Sequence, residues 1–289
     1  MRAACIDIGS NTTRLLVADC DRDGLQQIHQ EREFTRISRG LGDGDPIPQA
    51  KIAEATSVVA EQSRRATDLG AQTVRAVATA AIRRAGNGAE LADAIRTACG
   101  VEVRILTGDE EARLAFVGAV GTLASAPAGP VGVVDVGGGS SELVLGEAPD
   151  RVRWSASFAL GSGDLADAYL RSDPPGSAEL DAARAHVSRT FNGLQVPHPR
   201  LVIAVGGSAT SLRAVAGDVL DDEAFARALD VLASAGSAEL AGRFELDPGR
   251  VRLLPAGLVI LQAASERFGA PLRIGWGGIR EGVLLEATR

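Results

Sequence analysis

Two segments of the chain repeat one another at a constant offset. Residues 6–17 read IDIGSNTTRLLV and residues 134–145 read VDVGGGSSELVL, so Asp7 corresponds to Asp135 without a gap. Each copy is an apolar strand ending in Asp-x-Gly, a short polar turn and a second apolar strand, a pattern typical of a β-hairpin. Two such copies in a chain of 289 residues predict two domains of similar structure.

Strands and helices alternate after each hairpin, which predicts an α/β fold. Apolar strands are expected at 74–78 and 201–205, and each precedes a polar segment. The repeated order predicts two domains that face each other across a cleft. An uncharged, proline-containing boundary gives domains at 1–124 and 125–289, and the last helix is a candidate to pack back on the first domain. The longer predicted helices are 49–69, 90–99, 107–120, 178–192, 223–235 and 251–268.

Composition and motif content exclude several functions. The net charge of -7 argues against a general nucleic-acid binder. Lys51 is the only lysine, so no Walker A motif is present. The three cysteines form no C-x-x-C motif, which makes a zinc site improbable and favours a reducing cytoplasm. The uncharged stretch 114–134 contains several glycines and two prolines, so we predict a helix end, a loop and a strand rather than a membrane span.

The two hairpin turns are rich in glycine and hydroxyl groups, which is typical of anion-binding backbone concavities. A similar Gly-Gly-Ser segment follows the strand at 201–205. The predicted phosphate-binding residues are Asp7, Ser10, Asn11, Thr12, Gly137, Gly138, Gly139, Ser140, Gly206, Gly207 and Ser208.

Two carboxylates flank the second hairpin turn. Glu142 takes the position that Arg14 has in the first hairpin, and a hairpin can bring Glu142 beside Asp135. Such a pair suits a divalent cation, directly or through water. The alternative is that Asp135 caps its own turn and Glu142 faces solvent.

A possible general base lies on the helix that begins after Thr107. Thr107 and Glu110 have the spacing of a capping box. At 100° per residue, Glu111 shares a face with Leu114 and Gly118, which makes it a general-base candidate. Its alternative role is to complement the helix dipole. Arg83 and Arg14 are candidates for a phosphate clamp, although most arginines lie on the surface.

Two weaker patterns have simpler interpretations. The segment 161–166 resembles a relaxed dinucleotide-binding fingerprint, but it lacks the third glycine. Arg32, Arg36 and Arg39 form a basic stretch that could guide a polyanion and is more often a solvated surface.

Several segments together resemble a known family: DIGSNTTRLL, ATAAIRR, TGDEEARLAFVGA, VVDVGGGSSELVLGE, AVGGSATSL and GGIREGVL. They are similar to the exopolyphosphatase/guanosine pentaphosphate phosphatase (Ppx/GppA) family of the actin-like ATPase superfamily. The resemblance implies two ribonuclease-H-like domains with the active site in the interdomain cleft. It also implies Glu111 as the catalytic base, Arg83 as a phosphate contact, and Asp135 with Glu142 at a metal.

The resemblance implies Mg²⁺-dependent hydrolysis of the terminal phosphoanhydride of inorganic polyphosphate. Mn²⁺ is an alternative ion, and a monovalent cation is a further candidate. We expect a cytoplasmic homodimer with no nucleic-acid or membrane partner. The chain lacks the C-terminal helical region of long family members, so we expect the short two-domain form and a preference for short chains. The alternatives are guanosine pentaphosphate hydrolysis, a kinase, and a non-enzymatic sensor of polyphosphate or alarmone nucleotides.

Overall fold

The computed structural model describes residues 1–21 and 24–287. The chain forms two compact units. Unit 1 comprises Met1–Thr122 with Gly277–Arg289, and unit 2 comprises Leu123–Trp276. The C-terminal helix therefore belongs to unit 1. Residues 288 and 289, the end of the predicted second domain, lie outside the described residues.

Unit 1 is a five-stranded mixed sheet with helices. Its strands are β1 (Arg2–Ile8), β2 (Thr13–Asp21), β3 (Gly24–Glu33), β4 (Thr73–Ala78) and β5 (Val103–Ile105). Its helices are α1 (Gln49–Asp68), α2 (Ala80–Arg84), α3 (Gly88–Cys99), α4 (Gly108–Gly121) and α12 (Ile279–Glu286). The strand order is β3-β2-β1-β4-β5, in which β2 is antiparallel to both neighbours and β1, β4 and β5 are parallel.

Unit 2 repeats this sheet and adds one strand. Its strands are β6 (Val131–Val136), β7 (Ser141–Glu147), β8 (Arg151–Phe158), β9 (Leu201–Val205), β10 (Val219–Leu220) and β11 (Leu272–Ile274). Its helices are α5 (Ser162–Tyr169), α6 (Ser177–Thr190), α7 (Gly206–Ala216), α8 (Asp222–Ser234), α9 (Ser237–Phe244), α10 (Pro248–Val251) and α11 (Leu254–Phe268). The order is β10-β11-β9-β6-β7-β8, so β6, β7, β8 and β9 take the places of β1, β2, β3 and β4.

Alternation along β1 separates two faces of the first sheet. Ile6 and Ile8 pack into a core that includes residues of α1 and α3. Cys5 packs into a second core with Leu114 of α4 and Leu284 of α12. Because alternate residues of a strand point to opposite faces, Asp7 lies on the face that carries α4 and α12.

The predicted α/β class and its two ribonuclease-H-like units are confirmed. The predicted helix over 251–268 is confirmed from Leu254 onward as α11, and a short break separates it from α10, which ends at Val251. Pro255 lies in the first turn of α11 and has no N–H for a bond to the carbonyl of residue 251. Helices α2 and α9 and strand β10 were not predicted. Among the described residues, no helix is both long and apolar enough to cross a membrane.

Candidate functional site

The second hairpin brings its two acidic residues into direct register. Asp135 of β6 is paired with Glu142 of β7, so the two side chains share a face of the sheet. Their exposed fractions are 7% and 2%. Glu142 is in turn paired with Ser157 of β8, whose hydroxyl donates a hydrogen bond of 2.9 Å to Glu142 Oε1. The juxtaposition of carboxylates that the sequence predicted is present.

A glycine at the start of α7 allows the backbone to approach Asp135. Gly206 has φ +86°, and a Cβ at this position would collide with Asp135 Oδ1 and the Val136 carbonyl. The first N–H groups of an α-helix have no partner within the helix, so the α7 N-terminus offers donors beside this carboxylate. Ser208 is fully buried, and a Cβ at Gly257 of α11 would lie 2.6 Å from its Oγ. The Ser208 hydroxyl therefore faces α11.

The second loop is braced by the beginning of α5. Gly137 N–H donates to the Ser140 carbonyl at 3.0 Å, which closes the turn. The Gly138 carbonyl accepts from Gly163 N–H at 2.9 Å, and a Cβ at Gly161 would collide with the backbone at Gly138. These glycines give space for close packing, which explains the segment that only loosely resembled a dinucleotide fingerprint.

The first loop has the same closure. Gly9 N–H donates to the Thr12 carbonyl at 3.0 Å, as Gly137 does to Ser140. Ser10 and Thr12 are buried, and Asn11 is half-buried. The backbone of the two loops is therefore equivalent, although only the second is rich in glycine.

The side chains beside the first loop carry a different charge. Asp7 is paired with Arg14, and Arg14 with Arg32 of β3, so the three lie on one face of the sheet. Asp7 Oδ1 is buried and has no hydrogen-bond partner among the described residues. Burial raises the pKa of Asp7, and the charges of Arg14 and Arg280 oppose this shift.

The C-terminal helix contributes two charged groups that were not among the predicted site residues. Arg280 is close to Glu281, with Nη2 and Oε1 3.6 Å apart, and both side chains are largely buried. Arg280 also donates to the Leu15 carbonyl at 3.1 Å. Both residues lie in the GGIREG segment, whose adjacent basic and acidic side chains are the signal by which the sequence could have indicated them.

Helix α4 presents Glu111 to the interior of unit 1. The predicted capping box is present, since Thr107 Oγ1 accepts from Glu110 N–H and Glu110 accepts from Thr107 N–H. Glu111 is 1% exposed, and Leu114 and Gly118 on the same stripe are also buried. The predicted inward orientation of Glu111 is confirmed.

Arg83 and Glu111 form an ion pair. Arg83 Nη1 donates to Glu111 Oε1 and, at 2.6 Å, to the Leu106 carbonyl. Leu106 N–H donates to the Ala78 carbonyl at 2.9 Å, which joins the ends of β4 and β5. The two parallel strands therefore end at one edge of the sheet and bring together two side chains that are 28 residues apart. The sequence indicated both residues as candidates but did not predict their contact.

The donor set beside the second loop fits a magnesium ion. Magnesium is usually held by one or two carboxylates together with water and substrate phosphates. Asp135 and Glu142 supply two carboxylates on one face. Among the described residues there is no group of three or more His, Cys, Asp or Glu suited to a metal. A site of this kind would leave coordination positions for water and phosphate oxygens.

Comparison with known proteins places the chain in a family. The model of the Ppx/GppA phosphatase family matches residues 16–289. Exopolyphosphatase 2 of Mycobacterium tuberculosis is 32% identical over 90% of this chain and 89% of its own length. A guanosine-5'-triphosphate,3'-diphosphate pyrophosphatase of Aeromonas hydrophila is 24% identical over 97% of this chain and 58% of its own length. The solved PPX-GPPA enzyme of Aquifex aeolicus has a TM-score of 0.79 and 29% identity, with 99% of each chain covered. The chain belongs to the Ppx/GppA phosphatase family.

Proposed function

We propose that this chain is an exopolyphosphatase that hydrolyses the terminal phosphoanhydride of inorganic polyphosphate and releases phosphate. The observation that carries the proposal is the buried Glu111 beside Arg83 at the carboxyl end of β4. The 32% identity to Exopolyphosphatase 2 of Mycobacterium tuberculosis also supports this proposal.

Glu111 is the proposed general base. Its carboxylate orients a water molecule and accepts a proton as the water attacks the terminal phosphorus. The bond from that phosphorus to the bridging oxygen breaks, which releases phosphate and the shortened chain. The Arg83 guanidinium balances the buried negative charge of Glu111 and contacts the transferred phosphoryl group. Phosphoryl transfer depends mainly on position and charge, so a covalent enzyme intermediate is not required.

Asp135 and Glu142 are the proposed metal ligands, and the Ser157 hydroxyl fixes the orientation of Glu142. Mg²⁺ bound there would neutralise phosphate oxygens, and Mn²⁺ is an alternative ion. A monovalent cation is a further candidate.

The two hairpin turns are the proposed phosphate-binding loops. In the first, Asp7 stands at the strand end, and Ser10, Asn11 and Thr12 provide backbone and side-chain groups. In the second, the backbone from Gly137 to Ser140 provides donors, as do Gly206 and Gly207 at the start of α7. Because its hydroxyl faces α11, Ser208 would act through its backbone N–H.

The test is phosphate release from short-chain and long-chain polyphosphate with Mg²⁺. Glu111→Gln keeps the size of the side chain and removes the base, so we expect the rate to fall by about 10²–10⁴-fold. Glu110→Gln is the matched control, because Glu110 is adjacent and serves the capping box. A Glu111→Gln variant as active as Glu110→Gln would exclude the proposed base.

Guanosine pentaphosphate is the second candidate substrate, and the relative from Aeromonas hydrophila favours it. Assays of both substrates in parallel decide between them. Binding of either substrate without turnover would instead indicate a sensor. We also propose a cytoplasmic homodimer without a nucleic-acid or membrane partner, which sedimentation and cell fractionation can test.

A further inference from the structure

The edge of the first sheet carries two arginines directly opposite each other. Arg14 of β2 is paired with Arg32 of β3, and both side chains lie on the face of Asp7. Like charges at directly opposite positions destabilise a pair of antiparallel strands. The corresponding positions of unit 2 are Glu142 and Ser157, which form a hydrogen bond. An anion bound at the arginine pair would relieve the repulsion.

A third arginine, Arg36, lies near Arg32, because both guanidinium groups contact the Phe34 ring. The guanidinium carbon of Arg32 lies 5.0 Å from the centre of the Phe34 ring, and that of Arg36 lies 5.8 Å from it. Contact with one ring keeps both guanidinium groups in one place. The ring does not neutralise them. Among the described residues, neither Arg32 nor Arg36 forms an ion pair with a carboxylate, whereas the exposed Arg64 pairs with two.

The backbone attaches Arg36 to the first phosphate loop. Arg36 N–H donates to the Asn11 carbonyl at 3.0 Å, and Ser38 N–H donates to the Ser10 carbonyl at 3.1 Å. Arg36 has φ +47°, an uncommon conformation for a residue other than glycine. Such strain persists where surrounding contacts require it, and it is frequent at ligand-binding sites.

We propose that Arg14, Arg32 and Arg36 form a subsite for the phosphates that follow the terminal one in a linear polyphosphate. This inference rests on the proposed function and assigns the substrate chain a path away from the first loop. Guanidinium groups suit the phosphate oxygens, because their planar donors bind them in pairs. The subsite would contribute to affinity for the chain and not to the chemical step.

The test measures binding of fluorescently labelled long-chain polyphosphate in a Glu111→Gln background, where turnover does not consume the probe. Arg32→Gln combined with Arg36→Asn removes two charges, and asparagine tolerates a positive φ. Arg39→Gln is the matched control, because Arg39 is exposed in the same stretch and makes no described contact with the Phe34 ring.

We expect the double variant to weaken binding by about tenfold or more and to reduce its dependence on salt, as loss of phosphate contacts requires. Arg39→Gln should change affinity by less than about threefold. Equal losses in the control and the double variant would overturn the subsite, as would unchanged binding by the double variant. If the double variant unfolds, Arg32→Gln alone on the edge strand gives the same comparison.

Turnover separates the two proposals. With the wild-type base, KM for long chains should rise by about tenfold in the double variant, and the change in kcat at saturating long-chain substrate should be smaller than the change in KM. If the wild-type chain releases no phosphate but the variants still differ in binding, the exopolyphosphatase proposal fails and the subsite stands. If the wild type releases phosphate but the double variant and Arg39→Gln have equal KM values, the exopolyphosphatase proposal stands and the subsite fails.

Discussion

The two hairpins of this chain close in the same way, but the side chains paired across them differ in charge. In unit 1, Asp7 of β1 is paired with Arg14 of β2, and Arg14 is paired with Arg32 of β3. In unit 2, Asp135 of β6 is paired with Glu142 of β7, and Glu142 is paired with Ser157 of β8. Closure of the turn is the same in both, with a glycine N–H donating at 3.0 Å to the carbonyl three residues later.

This difference shows how a duplicated element can acquire two tasks. A carboxylate paired across the strands with a second carboxylate attracts a cation, whereas a carboxylate beside two arginines on the same face leaves a net positive charge that attracts an anion. Both turns are proposed to bind phosphate, and we therefore propose that the metal binds only at the hairpin of unit 2, whereas the phosphates after the terminal one bind at the arginines of unit 1.

The largest expected difference is between the two equivalent aspartates. Asp135→Asn removes a proposed metal ligand, so activity should fall by about 10²–10³-fold. Asp7→Asn should leave the Mg²⁺ concentration for half-maximal activity unchanged. Magnesium titrations of phosphate release provide the comparison, and equal magnesium dependence in the two variants would contradict the division of tasks.

Substitution of Gly206 should have the next largest effect. In Gly206→Ala the new Cβ collides with Asp135 Oδ1, so we expect activity to fall by more than about tenfold. Gly100→Ala is the control, because Gly100 also has a positive φ, of +74°, but no atom within 4 Å of a Cβ there. Both variants carry similar backbone strain. Similar activities in the two would show that the approach to Asp135 is unimportant.

The pH dependence of stability should reveal the charge of Asp7. Because burial raises the pKa of Asp7 in the folded state, its contribution to stability is full at acid pH and is lost as pH rises through that value. Asp7→Asn cannot ionise. Its melting temperature should exceed that of the wild type at about pH 8, and the difference should shrink toward about pH 4. A difference that grows toward acid pH would mean that Asp7 is stabilised as a carboxylate.

The smallest predicted effect concerns Ser157. Ser157→Ala removes the hydrogen bond to Glu142 without removing the carboxylate. The Mg²⁺ concentration for half-maximal activity should rise by a few fold, up to about tenfold, as expected for loss of a group that orients a ligand. Ser155→Ala, on the same strand, should have no such effect.

The repeat predicted the fold well because apolar strands and glycine turns are local signals. The pairing of Asp135 with Glu142 follows from the short turn between them, since loop length fixes the register of a hairpin. The contact of Arg83 with Glu111 could not be predicted in this way, because it depends on two parallel strands ending together. The proximity of Arg280 to Asp7 depends on a helix from the far end of the chain. The break between α10 and α11 had a local signal in Pro255, which the apolar periodicity concealed.

We propose above all that Asp135 and Glu142 of unit 2 bind the divalent ion. Binding of Mn²⁺, measured by its electron paramagnetic resonance signal without substrate, tests this claim directly. We predict that Arg14→Gln binds Mn²⁺ like the wild type and that Glu142→Gln binds it at least about tenfold more weakly. Equal affinity of Glu142→Gln and the wild type would contradict the account.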